Sequence, residues 1–386
     1  MHQQKPNLIV VTLDGLRRDK IEQIPAIKKM MDESFFLSNL VTAVPYTIGS
    51  LTSMFSGLYP YNHGVNAYFN IFKFDYTVAK TLVEYLKEQN YYCIFDALNV
   101  NLFPTKEFDE THPHKSEETE FKTRIISHID SGIQKQQENQ KTNQQPFFIY
   151  FQYSKIHHYS VEHTKGLDDF DKTYFSNQDE NFQKYEKSIQ GCDKFLNDLQ
   201  EHLKKTGLDK NTVLMIHADH GTSCGEKPGE KMYGTYLYDY TTKVWACIKG
   251  PSLPIKKINQ QVRTIDILPT LLEMLQIPKD SSKKMQGQSL LVAENEEIQE
   301  RPAYLETGGL GGPNPSPKRH NLFALRFKNK KIIFNNTTKT WEYYDLIKDP
   351  QETNNLFETM QQDAEFQELR TKLLEHLKQQ ADISLE

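Results

Sequence analysis

The stretch NLIVVTLDG (residues 7–15) is an unbroken apolar run that ends in a carboxylate and a glycine. Such a run is typical of a parallel strand that is buried on both faces, because helices cover both sides of a parallel sheet. Two more runs of this type, Phe147–Gln152 and Val213–His217, are also followed by polar residues. Helical patterns separate the three runs. This alternation predicts an α/β fold with a mainly parallel central sheet and helices on both faces.

Hydrophobic periodicity and end signals predict further elements along the chain. The predicted helices are Ile24–Met31, Ile48–Phe55, Val78–Gln89, Phe121–Gln136, Asn181–Lys205 and Thr264–Leu275. The other predicted strands of the central sheet are Phe35–Leu40, Tyr92–Asp96 and Val244–Lys249. The segment 134–145 is rich in Gln, Asn and Lys, which predicts a solvated loop or the end of a helix.

The pattern changes from about Arg301, where a Gly/Pro-rich loop (308–317) precedes short apolar segments. These segments predict antiparallel strands and a charged terminal helix, at Leu322–Arg326, Lys331–Phe334, Thr340–Tyr344 and Gln361–Gln379. The chain is therefore predicted to have a catalytic domain, 1–300, and a small C-terminal α+β subdomain, 301–386.

Composition narrows the class of protein. The chain has 386 residues, 37% of them hydrophobic, and a formal net charge of -5 without a long basic stripe, so we expect no nucleic acid partner. No apolar run is long enough for a membrane span, and the N-terminus lacks the pattern of a signal peptide. The cysteines have no paired spacing, which predicts free thiols and a cytoplasmic location, at Cys93, Cys192, Cys224 and Cys247.

Polar clusters follow the carboxyl ends of the predicted parallel strands. Asp14 follows the first strand, His157 and His158 follow the second, and Asp219 and His220 follow the third. Ligand sites of open parallel sheets lie beyond these ends of the strands. Two carboxylates and an imidazole are suitable ligands for a divalent metal, although each residue alone is more simply explained as a helix N-cap or a solvated loop residue.

The segment PYTIGSL (residues 45–51) places a hydroxyl, that of Thr47, where a helix is predicted to begin. The free N–H groups and positive dipole end of a helix N-terminus suit a sulfate or phosphate group. Taken alone, Thr47 is more simply explained as a helix cap. Ser50 is a rival nucleophile, but it lies about one turn into the helix and is expected to point away from the anion.

The chain resembles the sulfatase family of the alkaline phosphatase superfamily in six motifs that occur in the family's order. They are VTLDGLR (11–17); SGLYP (56–60) with HG (63–64); HADHG (217–221) with GE (225–226); TIDILPTL (264–271); GQSL (287–290); and YDL (344–346) with DP (349–350) and ETNN (352–355). The resemblance implies an alkaline-phosphatase-like sandwich. It also implies that Asp14, Asp219 and His220 are metal ligands and that Thr47 stands at the position of the nucleophile.

The nucleophile segment departs from the sulfatase pattern. In sulfatases this position is a Cys or Ser within Cys-x-Pro-Ser-Arg and is oxidised to formylglycine, whereas here Thr47 begins the segment and Leu51 replaces the Arg. Threonine cannot become the aldehyde, because its β-carbon carries a methyl group. The resemblance then extends to phosphodiesterases, phosphonoacetate hydrolases and phosphoglycerol transferases with a Thr nucleophile, which also share an Asp-Gly pair like Asp14-Gly15.

Two-metal relatives add an Asp-x-x-x-His pair in the middle of the chain, where this sequence has Tyr153 and Ser154 in place of the Asp. We therefore expect one divalent ion (Mn, Zn, Mg or Ca), bound by the three ligands and Thr47. His157 is expected to assist the leaving oxygen. Three further residues are candidates for binding the anionic substrate, namely Lys227, Lys231 and His320.

The sequence thus predicts a metal-dependent hydrolase, or transferase to an acceptor alcohol, of a small phosphodiester or phosphomonoester, with a phosphothreonine intermediate at Thr47. One alternative is a sulfuric ester hydrolase that works without formylglycine. Another is a non-catalytic metal-binding protein of the same fold. The oligomeric state stays open at this point.

Overall fold

A mixed β-sheet forms the centre of the computed structural model, which describes residues 5–102, 104, 106–138, 145–168, 171–293 and 296–379. Within these residues the sheet has nine strands in the order β4-β3-β5-β1-β6-β7-β2-β8, and β9 pairs with β2. The strands are β1 Asn7–Leu13, β2 Phe35–Val41, β3 Tyr92–Ala97, β4 Glu110–Pro113, β5 Phe147–Tyr153, β6 Thr212–His217, β7 Lys243–Lys249, β8 Lys256–Ile258 and β9 Val262–Arg263.

The strand β1 occupies the middle of this sheet, between β5 and β6. It is parallel to both neighbours, with Leu13 opposite Tyr153 and Thr12 opposite both Gln152 and His217. The strand β7 is antiparallel to β6 and to β2, so the sheet is mainly but not wholly parallel. The carboxyl ends of β1, β5 and β6 therefore lie at one edge of the sheet, where the polar residues that follow them meet.

Both faces of the sheet are covered by helices, as the apolar runs predict. Leu8 and Val10 pack on one face in a core shared with helices α2, α4 and α10, whereas Ile9 and Val11 pack on the other face with α1, α5, α6 and α8. The helices are α1 Pro25–Asp32, α2 Thr47–Ser56, α3 Pro60–His63, α4 Leu82–Glu88, α5 Phe121–Glu138, α6 Lys155–Thr164, α7 Lys172–Ser176, α8 Gln178–Lys205, α9 Asp239–Thr242, α10 Ile267–Met274, α11 Phe357–Met360 and α12 Ala364–Lys378.

A second, antiparallel sheet follows near the C-terminus, in the order β10-β11-β12-β13. Its strands are β10 Ala303–Thr307, β11 Leu322–Phe327, β12 Lys330–Asn335 and β13 Thr340–Asp345. One face packs on Leu237 and Tyr238, and α12 covers the other through apolar residues that include Phe366 and Leu373. The α/β fold class is thus confirmed, while the division into 1–300 and 301–386 stays a prediction.

Several boundaries differ from the prediction. Helix α4 begins at Leu82 instead of Val78, because Thr81 and Glu84 form a capping box that fixes the N-terminus. Helix α6 and strand β10 were not predicted, and His157 lies on α6 instead of in a loop. Helix α5 extends to Glu138, and the rest of the predicted loop up to residue 144 lies outside the described residues.

No helix among the described residues is both long enough and apolar enough to cross a membrane. The four cysteines are buried and free. The cytoplasmic location stays a prediction.

Candidate active site

Three predicted metal ligands meet at the carboxyl edge of the central sheet. Asp14 follows β1, and Asp219 and His220 follow the neighbouring strand β6. Their ligand atoms lie within 4.8 Å of one another, and all three residues are buried. His220 Nε2 lies 3.5 Å from Asp14 Oδ1 and 3.6 Å from Asp219 Oδ2. Residues more than 200 positions apart in the chain therefore form one cluster.

The oxygens that face this cluster lack other partners. Asp14 Oδ1 and Asp219 Oδ2 are buried and accept no hydrogen bond from the described residues. Burial and the nearby Asp219 raise the pKa of Asp14 to about 8, although His220 and a hydrogen bond from Gln152 act in the opposite direction. Two unpaired carboxylate oxygens and an imidazole nitrogen form a donor set that fits a divalent metal ion.

The ring of His220 is oriented for metal binding by its other nitrogen. Nδ1 lies 2.8 Å from the carbonyl oxygen of Gly221, a contact in which Nδ1 donates. Nε2 then carries the lone pair and faces Asp14 and Asp219. The hydroxyl of Thr47 lies 3.2 Å from the same Nε2 atom. Thr47 and the three predicted ligands are thus brought together by the fold.

Thr47 is the first residue of α2, and the residue at the cap position is Tyr46. Neither residue's side chain caps the helix, so the simple explanation of Thr47 as a helix cap is wrong. The rival hydroxyl of Ser50 is fully buried; it donates to the carbonyl oxygen of Asp219 at 2.7 Å and accepts from Thr42 at 2.8 Å. Ser50 thus connects α2 to the loop that carries Asp219. Of the two hydroxyls, that of Thr47 faces His220.

His157 reaches the cluster through a tyrosine. Its Nε2 shares a hydrogen bond of 2.7 Å with the hydroxyl of Tyr233, whose ring lies 4.3 Å from the ring of His220 between centroids. Burial lowers the pKa of His157, while Asp219 opposes the shift. A mainly neutral imidazole therefore stands at the rim of the cluster, and its catalytic role stays a prediction.

The three predicted substrate-binding residues already have protein partners. The Lys227 ammonium donates to the carbonyl oxygen of Glu352, and that of Lys231 donates to the carbonyl oxygen of Leu167 at 2.8 Å. His320 is buried, and its Nε2 lies 2.6 Å from the hydroxyl of Tyr46. None of these partners is a predicted metal ligand or Thr47, so direct contact of the three residues with substrate stays a prediction.

Sequence reasoning missed two residues that contact the cluster. Gln152, at the end of β5, donates a hydrogen bond to Asp14 Oδ2. A polar side chain at the end of an apolar run was the signal available in the sequence. The second residue is Tyr233, whose contacts with His157 and His220 depend on the path of the loop after β6.

Gly15 adopts a backbone conformation that favours glycine. Its φ of +77° lies in the left-handed region, and an added Cβ would lie 2.8 Å from Thr222 Oγ1. The backbone N–H of Gly15 donates to Asp219 Oδ1 at 3.3 Å. A side chain here would displace the two loops that carry Asp14 and Asp219.

Such a sheet, with a carboxylate and imidazole cluster facing a hydroxyl at a helix N-terminus, defines an alkaline-phosphatase-like α/β fold. The chain belongs to the sulfatase family, since the family described as "Sulfatase" matches residues 6–277. A second family, "N-sulphoglucosamine sulphohydrolase, C-terminal", matches residues 232–381.

Curated relatives have low identity and match over part of their length. The chain is 26% identical over 206 residues to an ulvan-active sulfatase of Formosa agariphila, covering 51% of this chain and 39% of that protein. It is 27% identical over 207 residues to an N-acetylglucosamine-6-O-sulfatase of Bacteroides thetaiotaomicron, covering 51% of this chain and 36% of that protein. The matched segment thus spans well under half the length of these relatives.

Solved structures match nearly end to end. A 2-O GAG sulfatase has a TM-score of 0.76 at 18% identity, covering 98% of this chain and 93% of that chain. The phosphonate monoester hydrolase of Agrobacterium radiobacter has a TM-score of 0.72 at 15% identity, covering 98% and 95%. At these identities the likeness shows the fold alone.

Proposed function

We propose that this protein is a metal-dependent hydrolase of a singly charged anionic ester, with Thr47 as the nucleophile. The observation that carries the proposal is the meeting of two unpaired carboxylate oxygens, of Asp14 and Asp219, with His220 Nε2 and the Thr47 hydroxyl. A divalent ion held by these residues would lower the pKa of the hydroxyl and offset negative charge on the substrate.

In this proposal the Thr47 oxygen forms a bond to the sulfur or phosphorus of the ester as the bond to the leaving oxygen breaks. The N–H groups at the start of α2 stabilise the charge on the remaining oxygens. His157, whose imidazole is mainly neutral at rest, takes up the proton that Thr47 releases and gives a proton to the leaving oxygen, and its bond to Tyr233 orients the ring for this transfer. Water then cleaves the ester on Thr47 and restores the hydroxyl.

The family and the relatives favour a sulfuric ester over the phosphodiester predicted from the sequence. The matched family is the sulfatase family, and the relatives named above carry the names of sulfatases that act on ulvan or N-acetylglucosamine. We therefore place a sulfuric ester first among the substrates of this chain.

The charge of the site supports a singly charged ester of either kind. The proposed metal ligands are two carboxylates and one imidazole, so a bound divalent ion would leave little excess positive charge at the cluster. Leu51, which replaces the family Arg, is fully buried. A doubly charged phosphate monoester would bring more negative charge into this site than a sulfate ester or a phosphodiester.

A phosphodiester is the second candidate, and the identity of residue 47 favours it. The methyl group of Thr47 prevents conversion to formylglycine, so the enzyme must use a hydroxyl. The chain also resembles phosphodiesterases and other phosphate-type enzymes that use a Thr nucleophile, which implies a phosphothreonine intermediate. The contrasting hypothesis is that this protein binds a metal ion but catalyses no reaction.

A panel of para-nitrophenyl sulfate, bis(para-nitrophenyl) phosphate and para-nitrophenyl phosphate, assayed with Mn²⁺, Zn²⁺, Mg²⁺ or Ca²⁺, tests the proposal. We expect turnover of the first or second ester, loss of it in Thr47→Ala and retention in Thr47→Ser. Thr52→Ala is the matched control, because Thr52 is a buried residue of α2 whose hydroxyl has no partner among the described residues. Tight metal binding without turnover of any ester would favour the non-catalytic alternative, and wild-type turnover by Thr47→Ala would refute the nucleophile.

A further inference from the structure

A cavity of about 350 Å³ lies beside the loop after β1, and its walls include residues from both sheets. Its lining includes Arg18 from the short 3-10 helix Arg18–Gln23 after β1, Lys243 at the start of β7 and Arg326 from β11. None of the predicted metal ligands lines it. We propose that this cavity is a second anion site, which binds a tetrahedral oxyanion, a sulfate or phosphate group, between Lys243 and Arg18.

Other charges of the cavity are neutralised within the protein. Arg17 Nε lies 2.9 Å from Asp19 Oδ1. Arg326 Nη2 lies 3.1 Å from Asp239 Oδ2, and Lys331 Nζ lies 2.6 Å from Asp239 Oδ1. Asp19 and Asp239, which could have paired with Lys243 or Arg18, therefore already form ion pairs with other cations.

The last acidic residue of the lining, Glu352, is engaged in the same way. Its Oε1 lies 2.8 Å from Lys331 Nζ, and its Oε2 accepts from the backbone N–H of Asp239 at 2.6 Å. Burial raises the pKa of Glu352 to about 7, with Asp239 adding to the shift and Lys331 opposing it. Glu352 is therefore held by partners within the protein, and neither Lys243 nor Arg18 is among them.

Lys243 and Arg18 are left with free donors. Among the described residues, the Lys243 ammonium has no hydrogen-bond or ion-pair partner. Arg18 donates through Nε to the carbonyl oxygen of Ser38 at 2.9 Å, its Cζ lies 5.6 Å from the centroid of the Phe36 ring, and its Nη1 lies 3.8 Å from the exposed carboxylate of Glu22. The remaining N–H groups of this guanidinium can bind an oxyanion, since arginine binds tetrahedral oxyanions through paired donors.

The electrostatic surroundings of Lys243 agree with this geometry. Burial lowers its pKa, Asp239 opposes the shift, and the neighbouring cations Arg326, Arg18 and Lys331 lower the pKa further. A bound oxyanion would relieve this repulsion between like charges in a partly buried space. The cavity thus has the charge, the free donors and the volume for one oxyanion.

The site is independent of the proposed ester hydrolysis but adjoins it. Arg17 Nη1 donates to the carbonyl oxygen of Thr222 at 2.8 Å, which joins the cavity wall to the loop that follows His220. An anion at Lys243 would therefore lie next to the loops that carry Asp14 and His220, without contacting either ligand.

Competitive acylation of lysines, read out by peptide mass spectrometry, tests the proposal on the full chain. The Lys243 acylation rate is compared in inorganic sulfate, inorganic phosphate, acetate and chloride at matched ionic strength. We expect sulfate and phosphate to slow the rate at least threefold, because the anion covers the amine and favours its protonated form. Lys249, on the same strand and paired with Glu33, serves as the internal control and should react at one rate in all four salts.

Two variants test whether the protection of Lys243 arises in the proposed cavity. Arg18→Gln should raise the oxyanion concentration for half-protection about tenfold, in line with the loss of charged hydrogen bonds. Thr47→Ala should leave protection unchanged. Equal Lys243 rates in sulfate, phosphate and chloride would overturn the proposal, as would equal protection by acetate, an unchanged half-protection in Arg18→Gln, or loss of protection in Thr47→Ala. A difference between sulfate and phosphate would instead identify which oxyanion the cavity prefers.

Discussion

Replacing Asp14 by asparagine should make the metal-free protein more stable at neutral pH, although it removes a proposed metal ligand. Two buried carboxylates face each other in the cluster, and their oxygens Asp14 Oδ1 and Asp219 Oδ2 have no partner among the described residues. Burial and the charge of Asp219 raise the pKa of Asp14 from 3.8 to about 8. Asparagine keeps the shape of the side chain without the charge.

The sign of the pH dependence follows from this shift. Between about pH 4 and pH 8 the folded state holds the Asp14 proton and the unfolded state releases it, so this group's contribution to stability falls as pH rises. The slope is at most about 1.4 kcal/mol per pH unit, which gives roughly 2 to 3 kcal/mol between about pH 5 and pH 7. The Asp14→Asn protein should lack this part of the slope.

Urea unfolding of metal-stripped protein at about pH 5, 6 and 7 measures the effect through the free energy of unfolding. A divalent ion should restore the wild type, by about 2.7 kcal/mol at a hundredfold excess over its dissociation constant, and should leave Asp14→Asn nearly unchanged. An identical pH slope in the wild type and Asp14→Asn would refute the argument.

Asp96→Asn is the matched control, because it changes a buried aspartate with the opposite shift. Burial opposes ionisation of Asp96, but hydrogen bonds from His114 and His128 hold its pKa at about 2. Its contribution to stability is present above about pH 4 and is lost as pH falls through about 2. This variant should therefore be less stable than wild type at neutral pH, which is the opposite sign to Asp14→Asn.

Two further predictions concern the supports of the site. His320→Ala should cost about 1 to 3 kcal/mol in urea unfolding and should lower kcat, because the buried hydroxyl of Tyr46, the residue before the nucleophile, loses its partner at 2.6 Å; unchanged stability and kcat would contradict this. Gly15→Ala should abolish activity, because its Cβ would lie 2.8 Å from Thr222 Oγ1 at a φ of +77°. Gly207→Ala, at a φ of +72° with nothing within 4 Å of the added Cβ, should cost only the backbone strain, about 1 to 2 kcal/mol, and keep full activity.

Some features of the site could be predicted from the sequence and others could not. Asp14, Asp219 and His220 could be grouped because carboxyl ends of parallel strands share one edge of a sheet. The tautomer of His220, fixed by the carbonyl of Gly221, could not be predicted, because it depends on the path of a loop. The helix that carries His157 was also missed, since its apolar positions are few and its burial comes from packing against α8.

The sequence by itself determined the α/β class and the candidate nucleophile. Periodicity and strand ends are local properties, so the apolar run at residues 7–13 already indicated a strand buried on both faces. Only the tertiary structure gave the partners of the two hydroxyls on α2, with Thr47 next to His220 Nε2 and Ser50 bonded to the carbonyl oxygen of Asp219. It also placed Lys243 and Arg18 in one cavity with free donors, since that outcome depends on which distant carboxylates the fold pairs with other cations.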